Sequence, residues 1–258
     1  MHPALRRTEH RPWPLPSGPW VMRQSWRDLL FAHWRVPASA LRPLVPSQLR
    51  IQEFNGSSWV GVVPFRMEGV MVRGLPDLPW FSAFPELNVR LYVEHGDKAG
   101  VWFVSLDATN VLAVAAARLL FQLPYFVADM EVEERRERVH YRSIRRNVER
   151  RIAFQASYWP SSPRFEPEPG TLEHFLTERY CLYSQTASGT LLRAEIHHQP
   201  WPLQHAGAEI AENSMAQEQG ISGEGDAVFH FSRRQDVVVW PPYPVSDGRA
   251  ATGLPDPA

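Results

Sequence analysis

The sequence predicts an α+β fold, mainly antiparallel β, whose strands close or nearly close into one sheet. Three observations carry that expectation. Period-two alternation recurs along the chain, clearest in "FPELNVRLYV" at 84–93. Runs rich in β-branched and aromatic residues far outnumber helical ones. Short turn signals such as Asn55-Gly56, Gly96-Asp97 and Ser188-Gly189 separate those runs, with no repeat and no linker between them.

In chain order, strands are expected at 28–36, 57–67, 86–93, 100–107, 126–132, 138–146, 152–159, 179–185, 191–199 and 228–240. Helices are few. "ASALRPLVP" at 38–46 is stopped by Pro46, and "TLEHFLTER" at 171–179 begins at a capping threonine. "NVLAVAAARLLFQ" at 110–122 has almost no polar face before Arg118, which predicts a buried helix. A further helix is expected near 208–218. Prolines at 3, 12, 14, 16 and 19 make residues 1–19 a flexible N-terminal arm, 20–245 a single domain and 246–258 a flexible tail.

Bulk properties narrow the function. The 258 residues carry a net charge of −1, so no nucleic-acid or anionic-membrane footprint is expected. Cys181 is the sole cysteine, which excludes an intrachain disulfide and a cysteine-rich zinc site. No apolar leader and no 18-residue apolar run occurs, and a cytoplasmic protein is the expectation. Phosphate-loop, nucleophile-elbow and H-E-x-x-H motifs are missing. His197-His198 would point to opposite faces of a strand, so no metal and no cofactor is expected.

The alternating strand poses the functional question. Leu87, Val89 and Leu91 share one face, and Glu86, Asn88 and Arg90 share the other. The polar row either faces water or lines an internal pocket. The stretch "WRDLLFAHW" likewise puts Arg27, Leu29, Phe31 and His33 on one side. Arg118, in an apolar helix, needs an acidic partner or a ligand, and Tyr125 falls where that helix meets a strand.

Several segments, in order, resemble the DUF2071 (YqjF-like) group: "LLFAHWRVP", "ALRPLVP", "WVGVVPFRM", "FPELNVRLYV", "GVWFVSLDA", "AARLLFQLPY", "LTERYCLY" and "HQPWPL". The resemblance implies the acetoacetate decarboxylase-like fold, a mainly antiparallel β-barrel with a few flanking helices. More distantly, the first half resembles acetoacetate decarboxylase itself. Glu86 falls at that family's pocket glutamate, Arg27 near its substrate-side arginine, and Arg118 precedes Pro124 by the family's spacing. The departures are decisive for mechanism. Tyr125 and Phe126 stand where that family has two lysines, and Leu119 where it has an acid. Lys98, the sole lysine, lies in a turn where it is expected to be solvated, so a lysine Schiff base is not expected.

The resemblance implies an internal pocket for a small carbonyl- or carboxylate-bearing molecule. Glu86 and Tyr125 are the candidate acid–base and oxyanion-stabilising groups. Arg27, His33, Asn88, Arg90, Arg118, Arg179, Tyr180 and His198 are the candidate ligand contacts, and Trp201 completes the wall. The competing expectation is a non-enzymatic sensor or accessory protein with a filled barrel, its tryptophans (Trp13, Trp80) marking a partner surface. The Pro/Gly-rich segment 71–86 would then be a dimer contact instead of a pocket lid. A homo-oligomer is left open.

Overall fold

The computed structural model describes residues 2–74, 83–111 and 119–245. Their strands are β1 (Met22–Val36), β2 (Arg50–Ile51), β3 (Ser58–Val72), β4 (Phe84–His95), β5 (Lys98–Ala108), β6 (Tyr125–Arg135), β7 (Arg138–Arg145), β8 (Ala153–Pro160), β9 (Cys181–Gln185), β10 (Leu191–His198), β11 (Gln204–Asn213), β12 (Glu224–Val239) and β13 (Tyr243–Pro244). The expected mainly antiparallel barrel is present. The pairings of β5 with β6 and with β9 are parallel.

Two rings share one wall. Strands β12, β1, β3, β4 and β5 form a continuous run of antiparallel neighbours. Each end strand of that run has two further partners. The first half of β5 pairs with β9 and its second half with β6. Likewise β12 pairs with β10 at Val237–Val239 and with β11 at His230–Phe231. Joining β9 to β10 closes a seven-strand ring. Running through β6, β7, β8 and β11 closes a nine-strand ring on the opposite face of the same wall.

Alternation along β4 sends its two rows into different rings. Leu87, Val89, Leu91 and Val93 enter the main apolar core with Leu30, Val62, Tyr141, Phe154, Tyr158 and Phe231. All of these are buried, and each aliphatic side chain withdrawn from water there stabilises the fold by about 1.5–3 kcal/mol. The nine-strand ring is therefore filled. Glu86, Asn88 and Arg90 face the seven-strand ring.

Strand β1 departs from simple alternation. Asp28 takes a left-handed backbone (φ 52), and the register with β3 slips between Arg27 and Ala32. Pro64, which has no N–H to give the ladder, lies opposite that slip. The inward row thus runs Gln24, Trp26, then Leu29, and Arg27 is placed on the other side. Asp28 is buried and paired with Arg66 and Arg233, and its carbonyl accepts from Tyr158 Oη at 2.8 Å.

Other expectations need correction. The segment near 208–218 is not one helix: β11 occupies 208–213, with Ala206, Ala208 and Ile210 packed on the core at period two, and only Gln217–Gln219 form a short 3-10 turn. Gly207 is required there, because a Cβ would come within 2.5 Å of the Trp159 ring. Of the helix expected at 110–122, Val111 and residues 119–121 are helical. It is not buried at those ends: Leu119 is 75% and Leu120 61% exposed, because the segment borders the mouth of a cavity and not a closed core.

The N-terminal arm lies against β10. Arg11 is buried and ion-paired with Glu195, and it donates to the carbonyls of Ile196 and, at 3.3 Å, Tyr180. Trp13 Nε1 donates to Glu195 at 2.7 Å, and its half-buried ring packs on the core. Lys98 lies 3.3 Å from the same carboxylate and is not free in solvent. The tail 246–258, Trp80 and the middle half of the segment 71–86 (75–82) lie outside the described residues.

Candidate functional site

The seven-strand ring encloses a cavity of about 600 Å³. Its wall is mostly apolar, with Leu29, Val63, Phe65, Phe103, Leu106 and Leu182 among its members. The mouth is framed by Val72, Leu120 and Pro241, and the polar row of β4 descends from it.

Glu86 stands nearest the mouth. Its carboxyl accepts a hydrogen bond from Tyr125 Oη at 2.8 Å. Burial raises its pKa to about 7, against the opposing effect of that bond. Tyr125 stays a protonated donor, its own pKa raised by burial and by the adjacent carboxyl. Tyr141, inside the filled ring, reaches through to donate to the Glu86 carbonyl at 2.7 Å. The backbone of the acid is thus fixed from the far side of the wall.

Asn88 comes next, buried, with no partner for Oδ1 among the described residues. Arg90 and Arg179 form the floor. Both guanidiniums lie over the Tyr92 ring, at 5.6 and 5.1 Å from its centroid. The short helix Leu172–Thr177 closes the ring below them, and its last carbonyls, which have no partner within the helix, receive their donors. Leu176 O accepts from Arg90 Nη2 and from Tyr92 Oη, both at 2.9 Å, and Phe175 O from Arg179 Nε at 2.8 Å. Burial lowers the Arg179 pKa to about 10, so it remains cationic at neutral pH.

His198 and Trp201 complete the wall near the floor. Burial lowers the His198 pKa to about 4, which leaves a neutral ring at pH 7. Trp201 Nε1 has no partner among the described residues. His197 points the other way, with Nε2 3.0 Å from the carbonyl of Arg7, so the adjacent histidines do not converge.

Of the candidate residues, the structure brings together Glu86, Asn88, Arg90, Tyr125, Arg179 and His198. Three others lie elsewhere. Arg27 is turned outward at the Asp28 bulge and faces Glu68 at 3.6 Å. Tyr180 stacks on the outer side of His198 (centroids 4.7 Å apart) and bonds Glu178. His33 lies below the floor, its Nε2 2.6 Å from Tyr92 Oη, and so reaches the cavity only through Tyr92 and Arg90. Arg118 lies outside the described residues. Sequence reasoning missed the apolar lining (Trp26, Phe65, Phe103) and the supports Tyr92 and Tyr141. An apolar wall residue and an apolar core residue carry the same period-two signal.

Gly61 makes room for this floor. A Cβ there would stand 2.9 Å from His33 Nε2 and 3.3 Å from Arg90 Cγ. Gly61→Ala is expected to cost about 1–3 kcal/mol of stability by overpacking, measured as a lower urea midpoint at unchanged slope. An unchanged midpoint would show that the floor relaxes freely.

The model of the DUF2071 family, described as an uncharacterized conserved protein, matches residues 23–236. The chain belongs to the DUF2071 family. Protein YqjF of Bacillus subtilis (strain 168) is 46% identical over 228 residues, 88% of this chain and 93% of that one. The DUF2071 chain also shares its fold with solved enzymes. The enduracididine biosynthesis enzyme MppR complexed with pyruvate superposes with a TM-score of 0.64 at 11% identity, covering 96% of this chain and 98% of that one. An acetoacetate decarboxylase from Legionella pneumophila gives 0.61 at 13% identity, covering 91% and 92%. The DUF2071 chain thus has the acetoacetate decarboxylase-like fold, with Tyr125 beside the acid and its sole lysine paired with Glu195 away from the cavity wall.

Proposed function

We propose that the seven-strand ring is a binding site for a small carbonyl- or carboxylate-containing molecule, with Glu86 and Tyr125 as its acid–base pair. The observation that carries this reading is the polar row itself: an acid with a pKa of about 7, an unpartnered amide oxygen and two guanidiniums collected on the wall of an otherwise apolar cavity. Such an acid exchanges a proton readily at neutral pH, and the Tyr125 hydroxyl can donate to a developing oxyanion. Arg90 and Arg179 supply positive charge for a carboxylate. The names of two structural relatives, acetoacetate decarboxylase and MppR complexed with pyruvate, support the ligand class. Imine chemistry through Lys98 has no support, since that amine is paired with Glu195.

A thermal-shift screen of oxo acids, aldehydes and aromatic acids tests the reading on the wild type, Glu86→Gln and Arg90→Ala. A ligand at 100 times its dissociation constant stabilises the native state by about 2.7 kcal/mol, a clear rise in Tm. The expected result is a class that shifts the wild type and fails to shift the folded variants; turnover of that class is then assayed against pH. If every class leaves the wild type unmoved, the reading is wrong.

A further inference from the structure

The spacing of the polar groups narrows the ligand, on the assumption that the cavity reading above holds. Strand β4 pairs with β3 without a register shift from Phe84 to Leu91. At about 3.3 Å per residue, the backbones of Glu86 and Arg90 stand roughly 13 Å apart. The Arg90 side chain does not shorten that span. Its Nε donates to Tyr92 Oη at 3.1 Å and its Nη2 to Leu176 O, both groups lying further from the mouth. Arg179, just ahead of β9, converges on the same Tyr92 ring. The two cations therefore form one seat at the floor, and the Glu86–Tyr125 pair forms a second polar point well above it.

What lies between and around these points is mostly apolar, the other polar members of the wall being the neutral Gln24, Asn88, Thr177 and His198 and the Trp201 N–H. Among the described lining residues Glu86 is the sole acid, and neither floor arginine is ion-paired with a described carboxylate. Their donors go to the neutral oxygens of Leu176, Phe175, Tyr92 and Gln52, which fix the guanidiniums without cancelling their charge. Two buried cations with no direct ion pair, Glu94 acting on Arg179 only through space and across Gln52, are costly, and a bound anion lowers that cost. The volume also exceeds what a short acid needs. About 600 Å³ would hold some twenty waters at roughly 30 Å³ each. Pyruvate seated on the arginines would leave most of the apolar wall uncovered, and its keto group, adjacent to the carboxylate, would not reach Glu86.

We propose that the ligand is an elongated monocarboxylic acid, apolar along its middle, that enters carboxylate first. The carboxylate seats on Arg90 and Arg179. A hydroxyl or carbonyl many bonds away meets Glu86 and Tyr125, so any proton transfer occurs at the end remote from the acid group.

Titration calorimetry on the wild-type protein decides this with named compounds: pyruvate, butyrate, hexanoate, octanoate, decanoate, their ω-hydroxy counterparts, and octanol. Affinity is expected to rise about four-fold per added methylene until the chain fills the cavity. Octanoate should bind at least ten-fold more tightly than octanol. At one chain length the ω-hydroxy acid should match its parent in the wild type and fall about ten-fold behind it in Glu86→Leu, where the hydroxyl is buried without a partner. Val63→Phe, which narrows the middle of the cavity and leaves the arginines in place, should abolish octanoate binding and spare butyrate. Pyruvate binding as tightly as octanoate would overturn the elongated ligand and leave the pocket reading intact. Equal binding of octanol and octanoate would overturn the carboxylate seat. Failure of every compound, octanol included, would remove both the inference and the reading beneath it.

Discussion

Glu86→Gln is expected to be more stable than the wild type at pH 8, by about 3 kcal/mol, and to match it at pH 4. The acid's pKa stands at about 7 in the folded protein against an ordinary value of 4.5, chiefly because burial disfavours the charge. A folded-state pKa above the unfolded one means that the native protein binds the proton more tightly. Its stabilising contribution is complete below pH 4.5 and is lost as pH rises through 7. At 1.36 kcal/mol per pKa unit, the loss between those limits is about 3 kcal/mol. Glutamine keeps an acceptor for Tyr125 and carries no charge, so its stability should not fall across that window. Urea midpoints of the two proteins at intervals from pH 4 to 8 provide the check. Parallel curves would show that Glu86 titrates as an ordinary surface acid and has no claim to acid–base work. Divergent curves would mean that the native protein tolerates an ionisable group at the cost of its own stability, as residues kept for function do.

Glu195→Leu is expected to lose about 3–5 kcal/mol, the largest single loss anticipated outside the apolar core. Glu195 is 2% exposed and is the hub of the docked arm: it pairs with Arg11, accepts from Trp13 Nε1, and lies 3.3 Å from both Lys98 and Arg193. Removing it leaves the buried Arg11 guanidinium uncompensated. The double variant Glu195→Leu/Arg11→Met removes both charges and should recover much of the loss. Equilibrium unfolding of the three proteins, read as a double-mutant cycle, measures this. If the single variant costs less than 1 kcal/mol, the arm is held by its apolar contacts alone and the ion pair is incidental.

The fold was legible because its signal is local. Alternation, β-branched runs and turn residues place the long strands of the wall correctly, and the period-two rule put Glu86, Asn88 and Arg90 on one face. What failed was non-local or came from a single backbone angle. Arg27 was assigned to the inner row because nothing in "WRDLL" announces the left-handed Asp28 that reverses the alternation. His33 was read as a ligand contact because a sequence cannot show that Tyr92 stands between it and the cavity. The contacts of the arm were not foreseen, because Glu195, the partner of Arg11, lies 184 residues away. Residues 208–213 form a strand and not the expected helix, and the neighbour that requires it, Trp159 over Gly207, lies far away in the sequence.

The shared wall divides one stretch of chain between two independent duties. In β4 the odd positions Leu87, Val89 and Leu91 belong to a packed core, and the even positions Glu86, Asn88 and Arg90 belong to the cavity. Every other letter can therefore be rewritten while the intervening letters continue to specify the same architecture. A library randomised at Asn88, Phe65 and Phe103 alone would vary what the protein accepts and leave the filled ring untouched. Divergence within such a scaffold would then be interleaved along each strand, spaced two residues apart, instead of being confined to loops.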